Sequence, residues 1–328
     1  MEHLKIAGLP FEASRIALGT WAIGGWMWGG TEEKDAVATI HHALDLGINL
    51  VDTAPVYGFG QSEEIVGKAL QGRRDKTLIA TKAGLDWSGE GIVRNSTPAR
   101  LQQELDDSLR RLNTDVIDIY QIHWPDEATA FEKTAKTLEG FRRDGKIRAI
   151  GVSNFAPAHM DSFMKEAPLA TIQPPYNLFE RGIEDDVLPY AKKRDIVVLA
   201  YGALCRGLLS GKITADTTFD GDDLRNNDPK FQPARRADYL AAVAKLDALA
   251  KEKFGKSVLA LAVRWILDRG DTIALWGARK PCQLDAIEDV MGWHIDAGNM
   301  TEIDTLLDET VKDPVGPEFM APARTKAA

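Results

Sequence analysis

The segment VDTAPVYGFGQSE, Val51 to Glu63, joins an apolar stretch to a helical pattern through a glycine-containing loop. Asp52 stands where the apolar stretch ends, and Tyr57 lies in the loop beyond it. A carboxylate in this position often only caps the next helix. In an α/β barrel, however, the functional side chains follow the carboxyl ends of the strands. The segment therefore predicts one strand–loop–helix unit with two polar side chains at its loop end.

The same kind of unit recurs along the chain. Eight short apolar segments are each followed by a helical pattern: IALGTW, INLVDTA, TLIATKA, VIDIYQIH, RAIGVSN, TIQPPY, IVVLAYG and TIALWGA. Eight consecutive βα units favour a closed parallel barrel, the (α/β)8 TIM barrel, over an open doubly wound sheet. An open sheet usually carries a G-x-G-x-x-G turn after its first strand, and GTWAIGGWMWGG does not have that form.

The other segments predict additions to a single barrel domain that spans residues 1–328. The opening LKIAGLPFEASRIALGT predicts a β-hairpin around Gly8–Pro10. The long irregular loop after strand seven, Cys205–Arg235, is predicted to be a functional lid or a mobile insert. The C-terminal segment 313–328 is expected to be loosely held. Three helix starts are predicted, at Ser62, Thr97 and Pro281.

Composition excludes several classes of function. The 328 residues, 44% hydrophobic and 27% charged, are typical of a globular protein. A formal net charge of -9 argues against nucleic acid as a partner. Without a membrane-length apolar run or a signal-peptide pattern, the protein is expected to be cytoplasmic and to have no membrane partner. The two cysteines, Cys205 and Cys282, lie in no CxxC motif, so neither a disulfide framework nor a metal site is expected.

Polar residues stand at the ends of six predicted strands: Asp52, Lys82, His123, Ser153, Asn154, Gln173 and Tyr201. Taken singly, each has an ordinary explanation as a helix cap, a surface charge or a packed core residue. Because parallel strands in a barrel end at the same face, we expect these side chains to lie together. Their joint occurrence favours an active site.

Four residues have a shared chemical logic. Asp52 can pair with Lys82, and the Lys82 ammonium would lower the pKa of Tyr57. Tyr57 could then give a proton to a carbonyl oxygen that is becoming an alkoxide, while His123 donates a hydrogen bond to the same oxygen. This is the chemistry of carbonyl reduction with an external hydride donor, and it needs no metal.

Several segments in order resemble the aldo-keto reductase family, over nearly the whole chain: NLVDTAPVYGFGQSEEIVGKAL, LIATKAG, SLRRLNTDVIDIYQIHWPD, GKIRAIGVSNF and QPPYNLFER. The resemblance implies an (α/β)8 barrel that binds NADP(H) in an extended form without a Rossmann domain. It also implies a catalytic tetrad, which consists of Asp52, Tyr57, Lys82 and His123.

The resemblance also implies the cofactor contacts. Ser153, Asn154 and Gln173 would bind the nicotinamide amide, and Tyr201 would lie against its ring. YGALCRGLLSGK resembles the family's pyrophosphate segment, and GARKPCQ resembles its adenosine-phosphate segment. With the first strand and its loop, the remaining contacts implied are Gly19, Thr20, Trp21, Asp52, Gly202, Leu204, Gly207, Lys212, Gly277, Arg279 and Gln283.

The chain departs from the family pattern at three places. Cys205 and Arg206 replace a glycine and a variable residue, and Trp276 replaces the usual Pro-Gly. Ala286-Ile287 replaces a Glu-Asn pair thought to hold adenine. We expect the last two changes to loosen the grip on the adenine end of the cofactor.

Aromatic residues are expected to line the substrate pocket, namely Trp21, Trp28, Trp87 and Trp124, with Trp26 as a further possibility; ordinary barrel packing would explain some of them. The branch resembled, which includes general-stress reductases and a glycerol dehydrogenase, implies small aldehydes and glyceraldehyde- or glycerol-type substrates. Two alternatives stay open at this point. One is a redox-sensing binding module like the β-subunits of potassium channels, and the other is a Schiff-base aldolase that uses Lys82.

Overall fold

The computed structural model describes residues 1–89 and 91–323. Eight parallel strands close into a barrel, which confirms the predicted (α/β)8 architecture. All eight apolar segments supply one strand each. The strands are β1 (Ile16–Gly19), β2 (Leu50–Asp52), β3 (Leu78–Ala83), β4 (Ile117–Ile122), β5 (Ile147–Ser153), β6 (Thr171–Gln173), β7 (Val197–Ala200) and β8 (Thr272–Gly277).

Helices surround the barrel and bury their apolar faces against it. They are α1 (Glu33–Asp45), α2 (Gln61–Ala69), α3 (Pro98–Leu112), α4 (Phe131–Arg143), α5 (Pro157–Phe163), α6 (Val187–Lys193), α7 (Pro233–Phe254), α8 (Val258–Leu267) and α9 (Ala297–Thr310). Helix α3 starts after Thr97 as predicted, with Pro98 in the first turn, where its missing N–H costs nothing.

Two predicted helix starts are wrong. Ser62 lies inside α2 rather than at its cap, and its hydroxyl bonds the hydroxyls of Thr20 at 2.8 Å and Thr53 at 2.9 Å. It therefore ties the helix to the ends of β1 and β2. Pro281 begins only a short 3-10 turn, Pro281–Gln283.

The predicted hairpin is present at the N-terminal end of the barrel. Strand His3–Leu4 pairs antiparallel with Ala13–Ser14. The connecting residues Ile6, Leu9 and Phe11 pack against apolar side chains inside the barrel and close this end. The cavities described below lie at the opposite end, where the strands terminate.

The loop after β7 is anchored by buried charges. Arg206 pairs with Glu180 and Asp228, each at 2.5 Å, and Lys230 pairs with Glu180 at 2.9 Å. All four side chains are at least 97% buried. Within the same loop, residues 211–222 are mostly exposed. The loop is therefore fixed at two points with an exposed stretch between them.

The C-terminal segment is packed down, contrary to the expectation of loose attachment. Val315 donates its N–H to the Tyr239 hydroxyl at 3.1 Å, and Lys230 bonds the carbonyl of Gly316 at 3.2 Å. The N–H of Arg94 bonds the carbonyl of Ala323 at 3.3 Å. Residues 324–328 lie outside the described part of the chain. Within the described residues, no helix is long and apolar enough to cross a membrane.

Replacing each of two helical glycines with alanine should change the stability of the protein in opposite directions. A Cβ atom on Gly67 of α2 would lie 2.5 Å from the carbonyl oxygen of Arg111, whereas one on Gly140 of α4 would meet nothing within 4 Å. Gly67→Ala should lower the free energy of unfolding by about 1–3 kcal/mol, as overpacking does. Gly140→Ala should raise it by about 0.5–1 kcal/mol. Urea unfolding of both variants measures this, and stabilisation by both would contradict the close α2–α3 packing.

Candidate active site

A buried ion pair lies at the ends of β2 and β3. Lys82 Nζ is 2.7 Å from Asp52 Oδ2, and both side chains are buried. Lys82 also donates to the carbonyl oxygen of Thr53 at 3.0 Å and to the Tyr57 hydroxyl at 3.2 Å. The three ammonium hydrogens are therefore used, and three residues of the predicted tetrad are in contact.

Two glutamines hold the second oxygen of Asp52. Gln173 Nε2 donates to Asp52 Oδ1 at 2.8 Å, and Gln121 Nε2 lies 3.4 Å from the same oxygen. Sequence reasoning missed Gln121, although a polar residue within the apolar run VIDIYQIH was a usable signal. Gln173 thus positions Asp52 in addition to its expected place near a nicotinamide.

His123 completes the predicted tetrad. Its ring lies edge-on to Tyr57, with 5.8 Å between the ring centroids. Asn154 donates its amide to the backbone carbonyl of His123 at 3.0 Å and accepts a hydrogen bond from the Tyr201 hydroxyl at 3.0 Å. Asn154 itself has a φ of 61°, which asparagine tolerates better than most residues. The strand-end residues therefore converge as expected.

The pKa of Tyr57 differs from the expectation. Burial raises the pKa of Tyr57 well above its usual value, and the Asp52 carboxylate raises it further. The expected lowering by the Lys82 ammonium is therefore outweighed, mainly by burial of the hydroxyl and further by the Asp52 carboxylate. Burial lowers the pKa of Lys82, although Asp52 opposes this shift. Burial and the Lys82 charge lower the pKa of His123 well below its usual value. Near neutral pH the site thus presents a protonated tyrosine and an uncharged histidine.

A small cavity of about 110 Å³ opens above Tyr57 and His123. Aromatic and apolar side chains form most of its wall, and they include Trp21, Trp26, Met27, Val56, Leu85, Ile92, Trp124, Met320 and Pro322. The placement of Trp21 and Trp124 agrees with the prediction. Met320 and Pro322 were missed, because nothing in their local sequence indicates that the C-terminal segment crosses the barrel mouth.

Two tryptophans predicted for the substrate pocket do not line this cavity. Trp87 packs beside Phe59, with the Arg100 guanidinium 5.0 Å from its ring. Trp28 lies edge-on to Trp21 at 5.6 Å and lines a second, longer cleft instead. Both were chosen for aromatic character, which does not reveal the direction in which a loop side chain points.

The second cleft, of about 340 Å³, runs from Tyr57 along the ends of β1, β7 and β8. Most of the predicted cofactor residues line it, namely Gly19, Thr20, Trp21, Asp52, Tyr201, Gly202, Leu204, Gly207, Lys212, Gly277, Arg279 and Gln283. Ser153, Asn154 and Gln173 line the small cavity. Trp21, Tyr57 and Tyr201 border both, so the two cavities meet at Tyr57.

The donor set of the long cleft fits a phosphorylated ligand. Lys212, Arg225 and Arg279 bring three positive charges to its wall, although the chain as a whole is acidic. Gly202 and Gly207 adopt φ values of 70° and 91°, which let the backbone approach a ligand closely. A dinucleotide lying here would reach Tyr57 at one end and Arg279 at the other.

Comparison with known proteins establishes the family. Residues 15–308 match the sequence model of the Aldo/keto reductase family. Aldo-keto reductase YhdN of Bacillus subtilis (strain 168) is 59% identical over 325 residues, which cover 98% of each chain. The chain belongs to the aldo-keto reductase family. Of the predicted NADP-dependent reductase, the comparisons confirm an NAD(P)-dependent oxidoreductase that interconverts carbonyl and alcohol groups.

Two further matches cover nearly the whole chain. The glycerol dehydrogenase AKR11B4 from Gluconobacter oxydans is 57% identical, with a TM-score of 0.89 over 97% of this chain and 99% of that one. The NADH-specific methylglyoxal reductase of Escherichia coli (strain K12) is 34% identical, over 94% of this chain and 97% of its own.

Removing the Tyr57 hydroxyl should abolish most turnover. For Tyr57→Phe we expect carbonyl reduction to fall by at least about 10²–10⁴-fold, the usual contribution of a general acid. Cofactor affinity should be retained. Tyr120→Phe is the matched control, since the Tyr120 hydroxyl is buried without a hydrogen-bond partner among the described residues. Near-normal steady-state rates for Tyr57→Phe would contradict its role.

Proposed function

We propose that this protein is an NADP(H)-dependent reductase of small aldehydes and ketones that also oxidises the corresponding alcohols, including glycerol-type polyols. The observation that carries the proposal is the Tyr57 hydroxyl, 3.2 Å from Lys82 Nζ at the junction of the two cavities. A carbonyl group at this junction would lie beside both a proton donor and the end of the long cleft.

Each residue of the site has a separate role in the reduction of the carbonyl group. The bound nicotinamide supplies the hydride. The uncharged His123 donates a hydrogen bond that orients the oxygen, and Tyr57 transfers its hydroxyl proton to that oxygen as negative charge develops. The resulting phenolate is stabilised by the Lys82 ammonium. Asp52 keeps Lys82 charged and fixed, so the raised pKa of Tyr57 does not prevent donation to a strongly basic alkoxide.

The size of the substrate cavity favours short substrates. Its volume of about 110 Å³ is small beside the roughly 300–1,000 Å³ of pockets for drug-sized ligands. The relatives named for glycerol and methylglyoxal act on compounds of three carbons. We therefore favour glyceraldehyde-like aldehydes and the polyols derived from them.

The two alternative functions, an aldolase and a binding module, require different properties of the site. A Schiff-base lysine must be neutral and free to attack a carbonyl, whereas Lys82 is fully buried and donates to three acceptors. The aldolase alternative is therefore disfavoured. A redox-sensing binding module stays an untested alternative, and robust turnover would distinguish an enzyme from it.

A substrate panel tests the proposed function directly. Glyceraldehyde, methylglyoxal, propanal and a bulky aryl ketone should be assayed with NADPH and NADH, and glycerol with the oxidised cofactors. We expect the three-carbon aldehydes to give the highest kcat/KM, with NADPH preferred. Absence of turnover with every carbonyl and both cofactors would overturn the proposal.

Cofactor choice is proposed to depend on Arg279. Its Nη1 donates to the carbonyls of Trp28 at 2.5 Å and Gly30 at 3.0 Å. Its Nε and Nη2 make no hydrogen bond within the described residues, so they are available to a phosphate side by side. The expected helix N-terminus is missing here, and the backbone N–H groups of Arg279 and Lys280 bond Gln283 Oε1. The guanidinium is thus left as the main phosphate ligand.

Arg279→Ala should weaken the binding of NADPH more than the binding of NADH. The loss of binding free energy should be about 1.5–3 kcal/mol larger for NADPH than for NADH, which is the range for a hydrogen bond to a charged group. Lys280→Ala, which removes an exposed charge next in sequence, serves as the control and should have a smaller effect. Titration by tryptophan fluorescence gives both dissociation constants, and equal losses for the two cofactors would falsify the phosphate role.

A further inference from the structure

The Gly25–Gly30 loop after β1 contributes to both cavities. Trp26 and Met27 line the substrate cavity, and Trp28 lines the cofactor cleft. Met27 has a φ of 64°, which is uncommon for a side chain of this size. A backbone held in this region persists only where surrounding groups restrain it.

Two side chains from distant parts of the chain supply that restraint. The Asp222 carboxylate accepts hydrogen bonds from the N–H of Met27 at 2.8 Å and of Gly29 at 3.2 Å. Arg279 donates to the carbonyls of Trp28 and Gly30. Four successive residues are therefore held alternately by an acceptor and a donor. We call Asp222 and Arg279 together the clamp.

Asp222 belongs to the loop that follows β7, several residues of which line the cofactor cleft, and we call this loop the lid. Two residues later, the N–H of Leu224 bonds the carbonyl of Met27 at 2.9 Å. Arg225 lines the cleft, with its guanidinium 5.3 Å from the Trp28 ring. Both backbone polar groups of Met27 are thus bound by this lid. Asp222 itself is exposed and lines neither cavity.

We propose that Asp222 is a positioning residue that makes closure of the lid over the cofactor and completion of the substrate-cavity wall a single event. The inference rests on the proposed function of the two cavities. If the lid separates from the Gly25–Gly30 loop, Met27 loses both backbone partners and its strained conformation is released. The wall formed by Trp26 and Met27 then relaxes, and affinity for the carbonyl substrate falls.

Arg279 extends the same coupling to the far end of the cofactor cleft. One nitrogen of its guanidinium holds the loop, while the other two make no hydrogen bond within the described residues and the side chain lines the cofactor cleft. A phosphate that orders this side chain would also order the loop. Substrate affinity should therefore be higher with a phosphorylated dinucleotide than with the unphosphorylated one.

Steady-state kinetics at saturating NADPH test the role of Asp222. Asp222→Ala removes both acceptors and should raise the KM for glyceraldehyde about tenfold, with a smaller change in kcat. Asp222→Asn retains one carbonyl oxygen and should restore part of the affinity. Asp216→Ala, an exposed carboxylate of the same loop that lines neither cavity, should match the wild type. An unchanged KM in Asp222→Ala would overturn the coupling and leave a lid that serves only cofactor retention.

Hydrogen–deuterium exchange of the NADPH-saturated protein gives a readout that needs no turnover. Peptides covering Gly25–Gly30 should exchange slowly in the wild type and in Asp216→Ala, and at least tenfold faster in Asp222→Ala. Equal exchange in all three would overturn the clamp. Asp222-dependent protection in a protein that reduces no carbonyl would instead overturn the proposed function and support the clamp.

Discussion

The buried ion pair between Lys82 and Asp52 is the interaction on which the active end of the barrel depends. Charges removed from water are tolerated only when every polar atom finds a partner. Here the partners come from several strands, since Gln121 and Gln173 bind Asp52, and Tyr57 binds Lys82. Breaking such a pair typically costs about 3–5 kcal/mol. The same contacts therefore fix the geometry of the candidate site and tie together the ends of β2, β3, β4 and β6.

A second cluster of buried charges anchors the loop after β7 above this site. Arg206 adopts a left-handed φ of 54° and sends its guanidinium between Glu180 and Asp228. Although burial opposes the shift, Arg206 and Lys230 lower the pKa of Glu180, so the carboxylate stays charged. Lys230 also holds Gly316 in the C-terminal segment. Arg206 and Lys230 thus anchor the loop after β7 to the rest of the barrel mouth.

The sequence was sufficient to predict the contacts that follow from regular structure. Asp52 and Lys82 could be placed together because parallel strands of a barrel end at one face. Ser62 was misassigned because a capping residue and a hydroxyl turned toward the barrel look alike in sequence. Met320 and Asp222 were missed because they reach the site through irregular segments, whose paths depend on distant contacts. Local periodicity carries no information about such paths.

The hydrogen bonds of Lys82 also bear on its resistance to chemical modification by reactive aldehydes. Short aldehydes such as methylglyoxal damage proteins by adding to neutral amino groups, a reaction known as glycation. Lys82 is charged, buried and bonded to three acceptors, so it offers no lone pair to such a compound. Lys212 and Lys280, which are exposed near the cofactor cleft, have no comparable protection. Chemical ageing should therefore begin at exposed lysines such as these, while the buried Asp52–Lys82 pair stays intact.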